Sequence, residues 1–371
     1  MATPGDRRSG EQGDAGGCRA AFIVEIRNSG VAQMTWLNFV TLNGVAPIKD
    51  LHLVSDAGAG EGLMQYHPTR DTELIVCGRA NTRLNGAYLP SPVLGNGSVT
   101  PAILVHGILR ALQKRGFKIR LHCYQLGLDN LPDFSGCKLD DVVIHQCELG
   151  KEKALIETQL IPELKRQAES GERHLIAESG IGGTTFAIVW LKCWLGKEIM
   201  FSGSTKDPEK LTRKEQVIKQ LLVMSETLPV EVSHFSGDLE LSDPVQRATC
   251  ALLDAELKEL ILAGGTMMFA PVIAMEREIS TEALKIATTR WIFDSPDATY
   301  AASKLPEQCS VLTPNVNFNH SRFAALNKYE QGYVVEGCGL GASLVFAEEQ
   351  GMSGEEIIDS LDDAVSAWLS K

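Results

Sequence analysis

The chain of 371 residues has no Cys-x-x-Cys pair, and its nine cysteines (Cys18, Cys77, Cys123, Cys137, Cys147, Cys193, Cys250, Cys309 and Cys338) stand singly. An odd number of scattered thiols argues against a secreted disulfide framework and reads as reduced cysteine in a cytoplasmic protein. Long uncharged apolar runs are missing as well. The greasiest region, residues 185 to 201, carries Lys192, Lys197 and Glu198, so neither a membrane span nor a secretory signal is expected. Clusters of Lys and Arg are also lacking, in a chain with a formal net charge of -12 and a pI near 5.2. Neutralising phosphates on a polynucleotide needs such clusters, so no nucleic-acid partner is expected and small molecules fit better. His67, His106, His122 and His145 have no metal-ligand spacing with the cysteines. No metal and no cofactor are expected.

What is present is enough apolar residue, 44%, to bury a sizeable core. Residues 1 to 19 hold almost nothing apolar and read as a disordered tail. No repeat or low-complexity linker divides residues 20 to 371, which read as a single α/β domain. Short apolar runs predict strands at 72–78, 117–123, 173–178, 258–264, 284–293 and 310–318, and helical patterns lie at 101–116, 152–171, 210–228 and 244–256. This alternation predicts a doubly wound, mostly parallel sheet with helices on both faces, and a ligand crevice outside the carboxyl ends of the strands. At the C-terminus, Ile357, Ile358, Leu361, Val365, Trp368 and Leu369 form one helical stripe that closes the fold or a dimer contact.

Three loops at predicted strand ends combine glycine with Ser or Thr. The first is AESGIGGTTF, which holds Glu178, Gly180, Ile181, Gly182, Gly183, Thr184 and Thr185; the second is FSGSTK with Ser204 and Lys206; the third is AGGT with Gly264, Gly265 and Thr266. Main-chain amides at a helix start are unpaired and attract anions, so the first loop reads either as a phosphate cradle or as a tight turn that needs glycine for packing. It has neither the lysine of a P-loop nor the third glycine of a dinucleotide fingerprint.

A different signal comes from VVEGCGLGA, where an apolar run delivers Glu336 into a glycine turn at a helix start. Apolar surroundings raise the proton affinity of a carboxylate and suit a general base; a helix-terminal charge or an arginine partner is the alternative. Asn317, Ser321 and Arg322 form a polar group at a strand-to-helix junction that fits sugar hydroxyls, a carboxylate, or capping. Asp71 and Glu73 stand where the predicted strand at 72–78 begins and alternate, so on a strand they would share a face, most simply as solvated edge carboxylates.

In this order, the segments YHPTRDTELIVCG, AESGIGGTTFAIVWLKCWLG with FSGST, LAGGTMMFA, IATTRWIFD and NVNFNHSRFAALNKYEQGYVVEGCGLGA resemble the nicotinate-nucleotide:dimethylbenzimidazole phosphoribosyltransferase family. The nearest likeness is to its archaeal and cyanobacterial branch, long known only as an uncharacterised protein family. The resemblance implies a doubly wound sheet with a small helical lobe from the two chain ends, and a homodimer. It implies transfer of phosphoribose from nicotinate mononucleotide to a benzimidazole or purine nitrogen, giving an α-linked riboside phosphate. By position Glu336 matches the family's general base, and Glu178 with Gly180 to Thr185 matches its phosphate-binding segment. Ser204, Lys206 and Gly264 to Thr266 are expected to aid on the donor, and Asp71, Glu73, Asn317, Ser321 and Arg322 at the base or nicotinate. A nucleotide binder or sensor on the same fold, without catalysis, is the alternative.

Overall fold

A computed structural model describes residues 35–57, 60–84, 97–137, 139–201, 203 and 205–369. The expected tail at 1–19 and the position of Ser204 lie outside them. The described chain forms seven strands: β1 (Trp36–Val45), β2 (Lys118–Leu126), β3 (Asp141–Cys147), β4 (Arg173–Ile181), β5 (Glu259–Ala263), β6 (Ala283–Ala287) and β7 (Cys309–Leu312). They make one sheet in the order β3-β2-β1-β4-β5-β6-β7, and every neighbouring pair is parallel.

The helices are α1 (His67–Cys77), α2 (Pro101–Lys114), α3 (Glu152–Leu155), α4 (Ile161–Glu169), α5 (Gly183–Leu195), α6 (Pro208–Ser225), α7 (Val232–Gly237), α8 (Pro244–Leu253), α9 (Thr266–Ala274), α10 (Pro296–Ala302), α11 (Ala324–Glu330), α12 (Leu340–Glu349) and α13 (Gly354–Leu369). A π-helical turn, Ile156–Leu160, joins α3 to α4. Alternate residues of each strand face opposite layers. In β1, Val40 and Leu42 pack into a core shared with α3 to α10, while Leu37 and Phe39 pack with α1, α2 and α11 to α13. The expected doubly wound α/β fold is therefore present, with all described strands parallel. Among the described residues no helix is long and apolar enough to cross a membrane.

The strand order reverses between β1 and β4: the chain leaves β1 toward β2 on one side and leaves β4 toward β5 on the other. Above that switch point the loops part, and a crevice opens at the carboxyl ends of the strands. Asn43 and Gly44 of β1 pair there with Ser179 and Gly180 of β4.

The sequence reading missed β1 and β3. In β1 the apolar run is broken by Asn38, Thr41 and Asn43, all fully buried; Asn43 is satisfied by Gln125 at 2.6 Å and Thr72 at 2.8 Å. Such a strand has neither alternation nor a continuous apolar run. β3 is an edge strand, half-exposed along its length.

The predicted strand at 72–78 is instead the second half of α1. Pro68 occupies its first turn, Gly78 ends it in the left-handed conformation, and the short apolar run Leu74–Val76 is buried on the helix. The shared face proposed for Asp71 and Glu73 disappears with the strand, because residues two apart on a helix point in divergent directions. Of the other strands, β2 and β4 run three residues further than predicted, while the last three are shorter: 288–293 leaves the sheet for a 3-10 turn, Arg290–Asp294, and 313–318 is irregular. At the C-terminus, Ile357, Ile358, Leu361 and Val365 are buried, and α13 packs on α2.

Candidate active site

The crevice encloses about 1070 Å³ of space, open solvent included. Its wall carries Gly180, Ile181, Gly182, Thr184 and Thr185 from the turn between β4 and α5, together with Glu178, Gly265, Thr266 and Glu336. The first and third glycine loops therefore converge with the Glu336 turn, and of the second loop Gly203 reaches the wall.

At the turn after β4, Gly182 caps α5 with φ 83°, and a side chain there would lie 2.7 Å from Leu51 Cδ1. Only glycine fits both the backbone conformation and the space. The 13-residue α5 then starts with its amides toward the crevice, where the helix dipole favours an anion. Gly183 packs against Met267 and is the one residue of Gly180 to Thr185 off the crevice wall.

Facing this helix start is a cation that the sequence reading did not single out. Lys214 of α6 is 3% exposed and lines the crevice. Its Nζ donates to Phe201 O at 3.0 Å. A Cβ built on Gly203 would lie 3.2 Å from Lys214 Nζ and 3.4 Å from Thr184 Oγ1, so ammonium and hydroxyl approach each other across that glycine. Burial drives the Lys214 pKa down to about 7. In the sequence, TRKEQ looks like a solvated helix face. The available signal was spacing: Lys214, Ile218, Leu221 and Ser225 fall on one stripe, and all four are buried.

Two carboxylates meet on either side of the AGGT loop. Glu178, near the end of β4, accepts the Gly265 N–H at 3.0 Å through Oε1, while its Oε2 is buried without a partner among the described residues. A Cβ on Gly264 would lie 2.6 Å from the Glu178 carboxyl carbon, and one on Gly265 would lie 3.3 Å from Glu336 Cβ. This glycine pair thus lets the turn from β5 into α9 pass between the two acids, a packing role in place of the expected phosphate grip at Gly264. Burial raises the Glu178 pKa to about 8; the Gly265 bond opposes this, and the nearby charges of Glu336 and Asp243 add to it.

Glu336 is gripped from both sides. Oε1 accepts the N–H groups of Gly337 (3.0 Å) and Gly341 (3.1 Å), and Oε2 accepts Thr289 N–H (2.7 Å) and Thr288 Oγ1 (3.3 Å). The Gly341 amide belongs to the first turn of α12, so the carboxylate also caps a helix start. Burial still outweighs these four donors and lifts the pKa to about 7. A group with that value is present in both protonation states near neutrality, as a general base requires.

The remaining predicted residues divide. Asp71 lines the crevice beside His67, which the sequence reading set aside as having no metal spacing. Glu73 points elsewhere: its oxygens accept the backbone N–H groups of Asn81 (2.7 Å), Thr82 (2.8 Å) and Asp133 (2.8 Å), tying two loops together. Lys206 donates to Gln331 O at 2.8 Å and lies over the Tyr333 ring, on the wall of an adjoining pocket of about 680 Å³ that shares Gly203, Thr266, Ile292 and Val335 with the crevice. Asn317, Ser321 and Arg322 are off the crevice wall. Asn317 caps a 3-10 turn through Asn319 N–H at 2.8 Å, Ser321 Oγ donates to Asp362, and Arg322 bonds to Asp362 and Asp363. Their polar density is capping chemistry. Among the described residues no group of three or more His, Cys, Asp or Glu is placed to hold a metal.

The raised Glu178 value has a thermodynamic consequence. The folded state holds this proton more tightly than the unfolded chain, so the group's contribution to stability is fully present below the ordinary glutamate pKa and is lost as pH rises through about 8. Glu178→Gln keeps an acceptor for Gly265 and cannot ionise. Thermal melts from about pH 5 to pH 9 are expected to show the variant gaining on the parent as pH rises, by an amount on the order of a few kcal/mol. A difference independent of pH would contradict the buried, proton-binding carboxyl.

No family model matches the chain. It is similar to UPF0284 proteins of archaea and cyanobacteria. Against the Gloeobacter violaceus protein it is 31% identical over 216 residues, 55% of this chain and 57% of that one, so the match spans little more than half of that relative. Against the Archaeoglobus fulgidus protein it is 27% identical over 333 residues, 87% and 91% of the two chains. For Pyrococcus furiosus the figures are 27% over 347 residues, 90% and 99%. Among solved structures, CobT from Thermus thermophilus aligns with 91% of this chain and 84% of its own, at 14% identity and a TM-score of 0.47.

Proposed function

We propose that this crevice transfers the phosphoribosyl group of nicotinate mononucleotide to a ring nitrogen of a benzimidazole or purine base, releasing nicotinate and leaving an α-linked riboside phosphate. The observation that carries the reading is the shared wall: an anion-attracting helix start with a buried lysine, and a carboxylate with a pKa of about 7, line one crevice.

The donor phosphate sits at the start of α5, within reach of Thr184 Oγ1 and Lys214. Binding a phosphate dianion returns Lys214 to its charged form, since the opposite charge offsets the desolvation that lowers its pKa. The acceptor nitrogen attacks C1′ of the ribose, the C1′–N bond to nicotinate breaks, and its electron pair neutralises the pyridinium ring. The leaving group is therefore ready without an acid or a metal. The acceptor loses the single proton on its other ring nitrogen to Glu336; the Thr288 hydroxyl, the longest of the four contacts at 3.3 Å, rotates aside to free a lone pair. Holding donor and acceptor in line supplies up to ~7–11 kcal/mol of barrier reduction, and the proton transfer ~10²–10⁴ in rate. By the same resemblance the working unit is a homodimer.

Purified protein incubated with nicotinate mononucleotide and dimethylbenzimidazole or adenine is expected to yield the α-riboside phosphate, followed by chromatography and NMR of the anomeric proton. Glu336→Gln is expected to lower kcat by ~10²–10⁴. In the parent, kcat/KM rises with pH toward about 7 as Glu336 deprotonates and falls above it as Lys214 loses its charge in the free protein, and the Glu336→Gln variant keeps only the falling limb. Full activity in the variant would remove Glu336 as the base. Lys214→Met is expected to raise KM for the donor ~10- to 100-fold, the worth of one charge-assisted hydrogen bond, with a smaller change in kcat. An unchanged KM would place the phosphate elsewhere.

A further inference from the structure

Glu178 and Glu336 are not the only proton-handling groups in the crevice. On α1, His67 Nε2 and Asp71 Oδ2 stand 3.1 Å apart across one helical turn. Asp71 is 6% exposed. It also receives Thr100 Oγ1 at 3.4 Å on Oδ1 and Cys338 Sγ at 3.6 Å on Oδ2. All four residues line the crevice, and the other ionisable groups on its wall are Glu178, Lys214 and Glu336.

A carboxylate surrounded by donors accepts, so the ring nitrogen facing it carries the proton. With a proton on Nε2 directed at the Asp71 carboxylate 3.1 Å away, Nδ1 is left as the acceptor of the ring. Position then matters. Cys338, which touches Asp71, is two residues beyond Glu336, and Pro101 at the start of α2 lies against Gly337. The α1 side of the crevice thus adjoins Glu336, whereas the α5 start and Lys214 form the anion end. A base that gives its ring proton to Glu336 and turns its attacking nitrogen toward the anion end presents its remaining edge to His67.

We infer that His67, fixed in one tautomer by Asp71, selects the acceptor: Nδ1 accepts a hydrogen bond from an exocyclic amino group, so the site takes an amino-substituted purine in preference to a benzimidazole or an oxo-purine. The identity of this ligand as the acceptor rests on the transfer reading above, while the hydrogen bond itself is a property of binding. Asp71 acts through His67 and is a positioning residue.

The test is calorimetry with adenine, purine and hypoxanthine against the parent, His67→Leu and Asp71→Asn, alongside transfer rates from nicotinate mononucleotide. The parent is expected to bind adenine about tenfold tighter than purine, which has the same rings without the amino group. His67→Leu brings that ratio to about one while purine affinity stays within about twofold. Asp71→Asn, which is isosteric, offers an N–H to Nε2, shifts the ring proton to Nδ1 and turns the preference toward hypoxanthine, whose oxygen accepts. A merely structural Asp71 would weaken all three bases alike. No adenine preference in the parent, no binding of any base, or ratios unmoved by both variants each overturn the inference. The expected preferences without any transfer would sink the transfer reading and leave this one standing; transfer indifferent to His67 would do the reverse.

Discussion

The carboxylate of Glu336 sits where three parts of the fold are pressed together: the start of α12, the end of β6 and the turn into α9. Its two oxygens take donors from Gly337 and Gly341 on one side and from Thr288 and Thr289 on the other. That grip requires α12 to come so close to the end of β6 that a Cβ on Gly341 would fall 2.2 Å from the Thr288 carbonyl carbon. The acid is placed by main-chain amides on rigid elements, so its position follows from the packing of the sheet and not from the rotamer of a loose side chain. The same crowding desolvates the carboxylate and lifts its proton affinity, so position and basicity have one cause.

Around that point the charges are graded. Glu178 holds its proton at neutrality, Glu336 is poised near it, and Lys214 is kept partly neutral by burial at the opposite wall. Two fully ionised acids flanking Gly265 would repel each other and any incoming phosphate. Retention of a proton on Glu178 relieves both repulsions. A bound dianion restores full charge on the lysine.

Much of this was legible in the chain. Strand-helix alternation gave the sheet class, and AESGIGGTTF and VVEGCGLGA marked the two loops that meet at the switch point. What escaped has physical reasons. β1, the strand on which the crevice is founded, hides because its buried Asn38, Thr41 and Asn43 are satisfied by neighbours distant in sequence. The run at 72–78 reads equally as strand or helix until Pro68 and Gly78 are weighed as start and stop signals, and that error carried Glu73 into the site with Asp71. Lys214 and His67 were passed over because burial of a cation and pairing of a histidine are tertiary facts. In the sequence they differ from surface residues only by lying one helical turn from Ile218 and from Asp71.

Transfer requires the phosphate site and the carboxylate to address one ligand. The direct measurement is a crystal structure of the protein with nicotinate mononucleotide. The prediction is a phosphate on the amides at the start of α5 and on Lys214 Nζ, with the ribose C1′ directed toward Glu336 and the α1 wall. A mononucleotide whose phosphate lies in the adjoining pocket at Lys206, or whose C1′ faces away from Glu336, would contradict it.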